Sequence, residues 1–130
     1  MIHDELRRLL ANHGIRIIRA SKKYWRPLDA ESVRRLAAAS DALISGVCTT
    51  APSTTWGALD SVAFERLGKP AVTLVAAFYE ALFVETAAAE GIPGLKRVVL
   101  PFPIEGLPDD VVRRAGREAF DAVAAALVVA

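Results

Sequence analysis

Apolar positions recur along this chain in two alternating periods. Between His3 and His13, Leu6, Leu9 and Leu10 share one face of a helix that Gly14 stops. Ile15 to Ala20 changes to a run of β-branched residues and predicts a strand. A polar connection from Ser21 to Leu28, SKKYWRPL, leads to Asp29, a natural N-cap, and Val33, Leu36 and Ala37 mark the buried face of a helix ending at Ser40. Ala42 to Val47 reads as a second strand. Leu59, Val62, Ala63 and Leu67 define a helix closed by Gly68 and Pro70. Ala71 to Ala77 is almost wholly apolar, the pattern of a strand buried on both faces. Phe78 to Glu90 is a helix, Arg97 to Leu100 a fourth strand, and Pro108 opens a last helix whose inner face holds Val112, Ala115, Ala119, Phe120, Val123 and Leu127.

Strands separated by helices of this length require crossover connections and a parallel sheet. The expected architecture is α/β: one small Rossmann-like three-layer domain over residues 1–130, with a parallel sheet of about four strands. Sheet order is not legible from the pattern. The Gly46 to Gly57 stretch lacks GxGxxG spacing, no acid ends the third strand and there is no Walker lysine, which argues against a dinucleotide or P-loop site. No cofactor is identified.

Composition narrows the classes of partner. The formal charge of +1, with acids and bases interspersed, offers no field for nucleic acid or an anionic membrane. Asp4 and Glu5 interrupt any signal-peptide pattern, and no apolar run reaches the length of a membrane span. One cysteine, Cys48, fits a reducing compartment, and the chain reads as soluble and cytoplasmic. The hydrophobic share of 53% is high for so small a domain, and the surplus predicts a homo- or hetero-oligomer.

Candidate chemistry concentrates after the second strand. Residues 48–55, CTTAPSTT, hold six hydroxyl or thiol side chains in eight positions, at the carboxyl edge where α/β sheets collect ligands. Thr49, Thr50, Ser53, Thr54 and Thr55 can present hydroxyls and amides to a small anionic metabolite, or can cap the helix. Cys48 is a nucleophile if its thiol is activated, and otherwise a small buried hydrophobe. Thr50 and Ser53 join Cys48 as catalytic candidates. Lys22, Lys23 and Arg26 follow the first strand to the same edge, and Arg26 can grip a carboxylate bidentately. Asp60 can orient the loop, while Tyr79 and Glu80 can supply an acid or base, or simply begin a helix. Trp25 and Trp56 wall a pocket, a subunit contact or the core. His3 and His13 sit apart on the opening helix, and no cluster has metal-ligand spacing.

DALISGV, then a polar turn, then TTWGALDSVAFERLGKPAVTL and FYEALFVETAAAEGIPGLKRVVLPFPIEGLPDD together resemble the UGSC family of selenoproteins and their cysteine homologues. The resemblance runs from about Ser21 into the final helix. It implies a Sec/Cys-Gly-Ser-Cys turn after the second strand, with a selenol or thiol as the reactive group. Alignment on Trp56 and Asp60 sets that signature on Thr50-Ala51-Pro52-Ser53, so hydroxyls stand at both chalcogen positions. Two histidine positions of the family fall on Leu59 and Phe102, and the family's opening segment has no counterpart here. Two readings follow: an enzyme subunit binding a small anionic metabolite at the Cys48 to Trp56 loop, or a non-catalytic paralogue that scaffolds a complete UGSC-type partner.

Overall fold

The computed structural model describes residues 2–18, 20, 27–101 and 106–127. In chain order these residues form α1 (Ile2–Asn12), α2 (Ala30–Ala39), β1 (Leu43–Cys48), α3 (Ala51–Arg66), β2 (Ala71–Ala76), α4 (Glu80–Ala89), β3 (Lys96–Leu100) and α5 (Asp109–Leu127). A 3-10 turn at Ala77–Tyr79 precedes α4. The strands pair in parallel in the order β1-β2-β3, with Leu43 beside Ala71 and Ala76 beside Leu100.

Burial explains the patterns. Central β2 is covered on both faces and every one of its residues is buried, as its unbroken apolar run requires. On one face Leu6 of α1 and Ala115, Ala119 and Val123 of α5 meet Val72, Leu74, Val98 and Leu100. On the other, Ala58 and Val62 of α3 and Phe83 and Ala87 of α4 pack with Cys48 and Val75. Beside α3 on this face lies α2, whose Val33 and Ala37 cluster with Phe64 of α3 and Ala71 of β2. Three layers result, and the domain is a small Rossmann-like α/β unit. Each fully buried phenylalanine or valine contributes roughly 1.5 to 3 kcal/mol relative to exposure. Among the described residues, no helix is long and apolar enough to cross a membrane.

Local signals set the element ends. Asp29 caps α2, its Oδ1 accepting the Ser32 N–H at 2.7 Å, and hydrogen bonding from the Ser32 side chain, then from its N–H, holds the carboxyl below the usual carboxylate range. Glu65 Oε1 accepts the Ala71 N–H at 2.9 Å and seats the start of β2.

Two expectations change. Ile15–Ile18 is irregular, with Ile15, Ile17 and Ile18 exposed at 49%, 36% and 46%, so the described sheet has three strands rather than about four. The reason is that β-branched residues favour a pleated, half-buried surface, and no described strand pairs with this segment. The hydroxyl stretch read as a loop to Trp56 is helical from Ala51, because Thr50 caps α3.

A register shift between Ser45 and Cys48 bends the end of β1. Gly46 there has φ +136°, and a Cβ on it would stand 2.8 Å from Leu74 O. Gly46→Ala is therefore expected to cost about 2 kcal/mol or more, read as a lowered urea midpoint at unchanged slope. A loss within a few tenths of a kcal/mol would mean that the bulge adjusts freely.

Candidate functional site

The carboxyl edge of the sheet is built from three adjacent strand ends. Cys48 stands beside Val75, which brings Thr50 level with Ala77, while Leu100 beside Ala76 sets Pro101 at the same height. Thr49 and Thr50, the Ala77–Tyr79 turn and Pro101 therefore share one rim. Arg26, Lys22, Lys23, Trp25 and Phe102 lie outside the described residues.

At this rim the hydroxyls act first as a helix start. Thr50 is the N-cap of α3: its Oγ1 accepts the Ser53 N–H at 3.2 Å, and Ser53 Oγ accepts the Thr50 N–H at 3.1 Å. This is a reciprocal capping box with serine in place of the usual Glu or Gln. The two hydroxyls also meet each other at 2.8 Å. Thr54 Oγ1 donates to Thr50 O at 2.7 Å and Thr55 Oγ1 to Ala51 O at 3.3 Å, so both turn back on their own helix. Pro52 has no N–H to offer. Of the helix's opening amides, Ser53 N is taken by Thr50 Oγ1 and Thr54 N by Thr50 O. Thr49 is half-buried and makes no side-chain hydrogen bond among the described residues.

Cys48 lies beneath this rim rather than on it. It is 2% exposed, and its Sγ donates to Ser53 O at 3.3 Å. Gly57, one helical turn beyond Ser53, faces the sulfur so closely that a Cβ would stand 2.7 Å from it. Sequence reasoning missed this contact. Its signal is a glycine inside an otherwise continuous helix, which marks a close approach more often than a break.

Asp60 is 4% exposed, with Oδ1 accepting the Leu28 N–H at 2.7 Å. It anchors the chain leading into α2, as an orienting residue does. Ser61 and Thr73, fully buried and missed from sequence, share a 2.7 Å hydrogen bond that ties α3 to β2. Tyr79 is half-buried and stacks edge-on with Phe78, ring centroids 5.0 Å apart. Phe78 itself is 71% exposed at the rim. Glu80 Oε2 accepts the Arg97 Nε–H at 2.7 Å, which commits this carboxylate to an ion pair. Trp56 is half-buried, and its indole N–H is enclosed without an acceptor among the described residues. His13 stacks on Phe120 of α5, away from these residues, with centroids 4.9 Å apart. Among the described residues, no His, Cys, Asp and Glu group is arranged to hold a metal ion.

A cleft of about 290 Å³ lies between the N-terminal turns of α1 and α5, lined by Asp4, Glu5, Arg8, Asp109, Val112 and Arg113. Its charges are partly self-paired, Glu5 with Arg8 at 2.7 Å. The hydrogen bond from Arg8 holds the Glu5 carboxyl below the usual carboxylate range.

The arrangement can cap a helix and present a helix N-terminus to solvent, but it brings no thiol to the rim. Alkylation by iodoacetamide at neutral pH, followed by mass spectrometry, is expected to modify Cys48 at least a hundredfold more slowly than an unfolded control. In the Thr50→Cys variant a second, exposed thiol at the α3 N-terminus should react first, since the helix end lowers a thiol pKa. Rapid modification of Cys48 in the folded native chain would contradict this geometry.

Comparison with known proteins adds one assignment. No curated protein and no solved structure matches the chain. The model of the UGSC family matches residues 1–129, essentially the whole domain with its capped α3 turn, and the chain belongs to the UGSC family.

Proposed function

We propose that this chain is a non-catalytic UGSC subunit that scaffolds a catalytically complete UGSC-type partner within a small-molecule metabolic or biosynthetic enzyme. The observation that carries this reading is the Thr50–Ser53 capping box. The resemblance to the family sets its chalcogen positions on those two residues, and here their hydroxyls are spent on each other's backbone. The one thiol of the chain lies under the helix, 2% exposed, with its hydrogen directed to Ser53 O. A nucleophile needs access and a base, and the described rim offers it neither. Exposed apolar side chains on the fold, Phe78, Leu67 and Val99 among them, fit a protein that works in a complex. A lone buried cysteine suits a cytoplasmic setting.

A second reading retains a specific observation. The first turn of the 16-residue α3 carries no acidic side chain, so its positive end faces the rim without a built-in counter-charge. A small anionic metabolite bound there would contact Thr49 and the Ala51 N–H, with Arg26 as the candidate guanidinium. On this reading the chain is an enzyme subunit that holds substrate for chemistry supplied by the partner.

Mixed with a UGSC chain that keeps Cys-x-x-Cys, the protein is expected to form a stoichiometric complex at micromolar concentration in sedimentation velocity. Cys48→Ala should leave the turnover of that complex within about twofold. Loss of turnover by orders of magnitude with the complex intact would overturn the scaffold reading. Saturable binding of inorganic phosphate or a small carboxylate by the isolated chain would favour the second reading instead.

A further inference from the structure

β3 is an outer strand of the described sheet, and its two faces are covered unequally. Val98 and Leu100 turn to α5, which packs on this strand, and both are buried. Arg97 and Val99 turn the other way. Arg97 stands beside Thr73, which bonds Ser61 of α3, and Val99 stands beside Val75 of the core under α3 and α4. α4 packs chiefly on α3, however, and Val99 at the rim of this layer stays 41% exposed. A strand of the sheet thus ends one of its faces on an apolar side chain in water.

The outer side of β3 pairs with no strand among the described residues. On the way from Leu100 to α5, Pro101 and Gly106 to Pro108 add none, and α5 lies on the covered face. Leu28, where the chain enters α2, clusters with Leu43 at the opposite side of the sheet. An edge of this kind is a template for another strand.

The residues of β3 say which strand fits. Laid antiparallel on itself about Val98, Lys96-Arg97-Val98-Val99-Leu100 sets each Arg97 opposite the second copy's Val99, and each Lys96 opposite Leu100. A centre one residue earlier would oppose two Arg97 side chains. A centre one residue later would bring Pro101, which has no N–H, into the ladder. In the Val98-centred register the aliphatic stem of Arg97 lies over the second copy's Val99, while its guanidinium keeps the Glu80 carboxylate at 2.7 Å. The contact therefore covers the exposed valine without burying an unmatched charge.

We propose that the outer edge of β3 is a self-association surface, and that two copies of this chain join there about a two-fold axis at Val98, which makes one continuous sheet across both. Each strand meets the same strand of the other copy, as an isologous contact requires. The contact needs no other chain, so it stands apart from the scaffolded UGSC partner.

The full chain by itself tests this. In sedimentation equilibrium the native protein is expected to dimerise at micromolar concentration. Val99→Lys sets a second cation opposite Arg97 at both symmetric positions and should weaken the dimer about tenfold or more. Leu67→Lys, at an exposed site before β2, should leave it unchanged, with thermal melts certifying that both variants fold. A Val99→Cys chain mixed with an Arg97→Cys chain should form a mixed disulfide under mild oxidation, since directly opposite side chains are close enough to bridge. Each of these chains alone should cross-link far more slowly, because like positions are diagonal in this register. A monomer throughout the micromolar range would overturn the proposal, as would a dimer indifferent to Val99→Lys or one that gives no mixed disulfide. Association that appears on adding a UGSC chain with Cys-x-x-Cys, and not without it, would also overturn it while leaving the scaffold reading in place.

Discussion

The close approach of α3 to the sheet at Gly57 is the contact on which the rest depends. A helix normally stands off a sheet by the length of its side chains, but here the helix presents no side chain, and the sulfur of Cys48 fills the space. Closing that gap buries the inner surface of α3 deeply enough that even polar groups are enclosed. Three of them are matched: Thr54 to the Thr50 carbonyl, Ser61 to Thr73, Asp60 to the Leu28 N–H. An unmatched buried group would cost roughly 1 to 3 kcal/mol, so this set of pairings specifies one seating of the helix.

That seating bears on function. A thiol two residues before the cap is pulled under the helix, and the Thr50 and Ser53 hydroxyls form the capping box that starts it. The Thr50 cap stabilises the start of α3, since an N-cap hydroxyl contributes about 1 kcal/mol. The carboxyl edge keeps two exposed features, the Phe78 ring and the N-terminal end of α3, whose first turn carries no acid.

Much of this was legible in the residue pattern. The apolar run Ala71 to Ala77 predicted a strand covered on both faces, and β2 is that strand; Asp29 and Pro108 marked helix starts that the structure keeps within a residue or two. The β-branched stretch Ile15 to Ala20 misled, because strand propensity records a preference for a surface that only a neighbour can provide. The start of α3 was placed too late, because Thr50-x-x-Ser53 is a capping box with an atypical second member. Within the site, the Cys48–Gly57 contact and the Ser61–Thr73 bond could not be read, since each joins residues whose proximity is set by the packing of a helix on strands and by no local spacing.

A double-mutant cycle on stability measures the Cys48–Gly57 contact directly. Gly57→Ala alone should cost about 1 to 3 kcal/mol, because its new Cβ meets the sulfur. With Cys48→Ala in the background the sulfur is gone, and most of that cost should disappear, giving a coupling of at least about 1 kcal/mol. Strictly additive losses in the two single variants and the double would contradict the account: they would mean that α3 does not rest on the thiol and that Cys48 is held where it is for some other purpose.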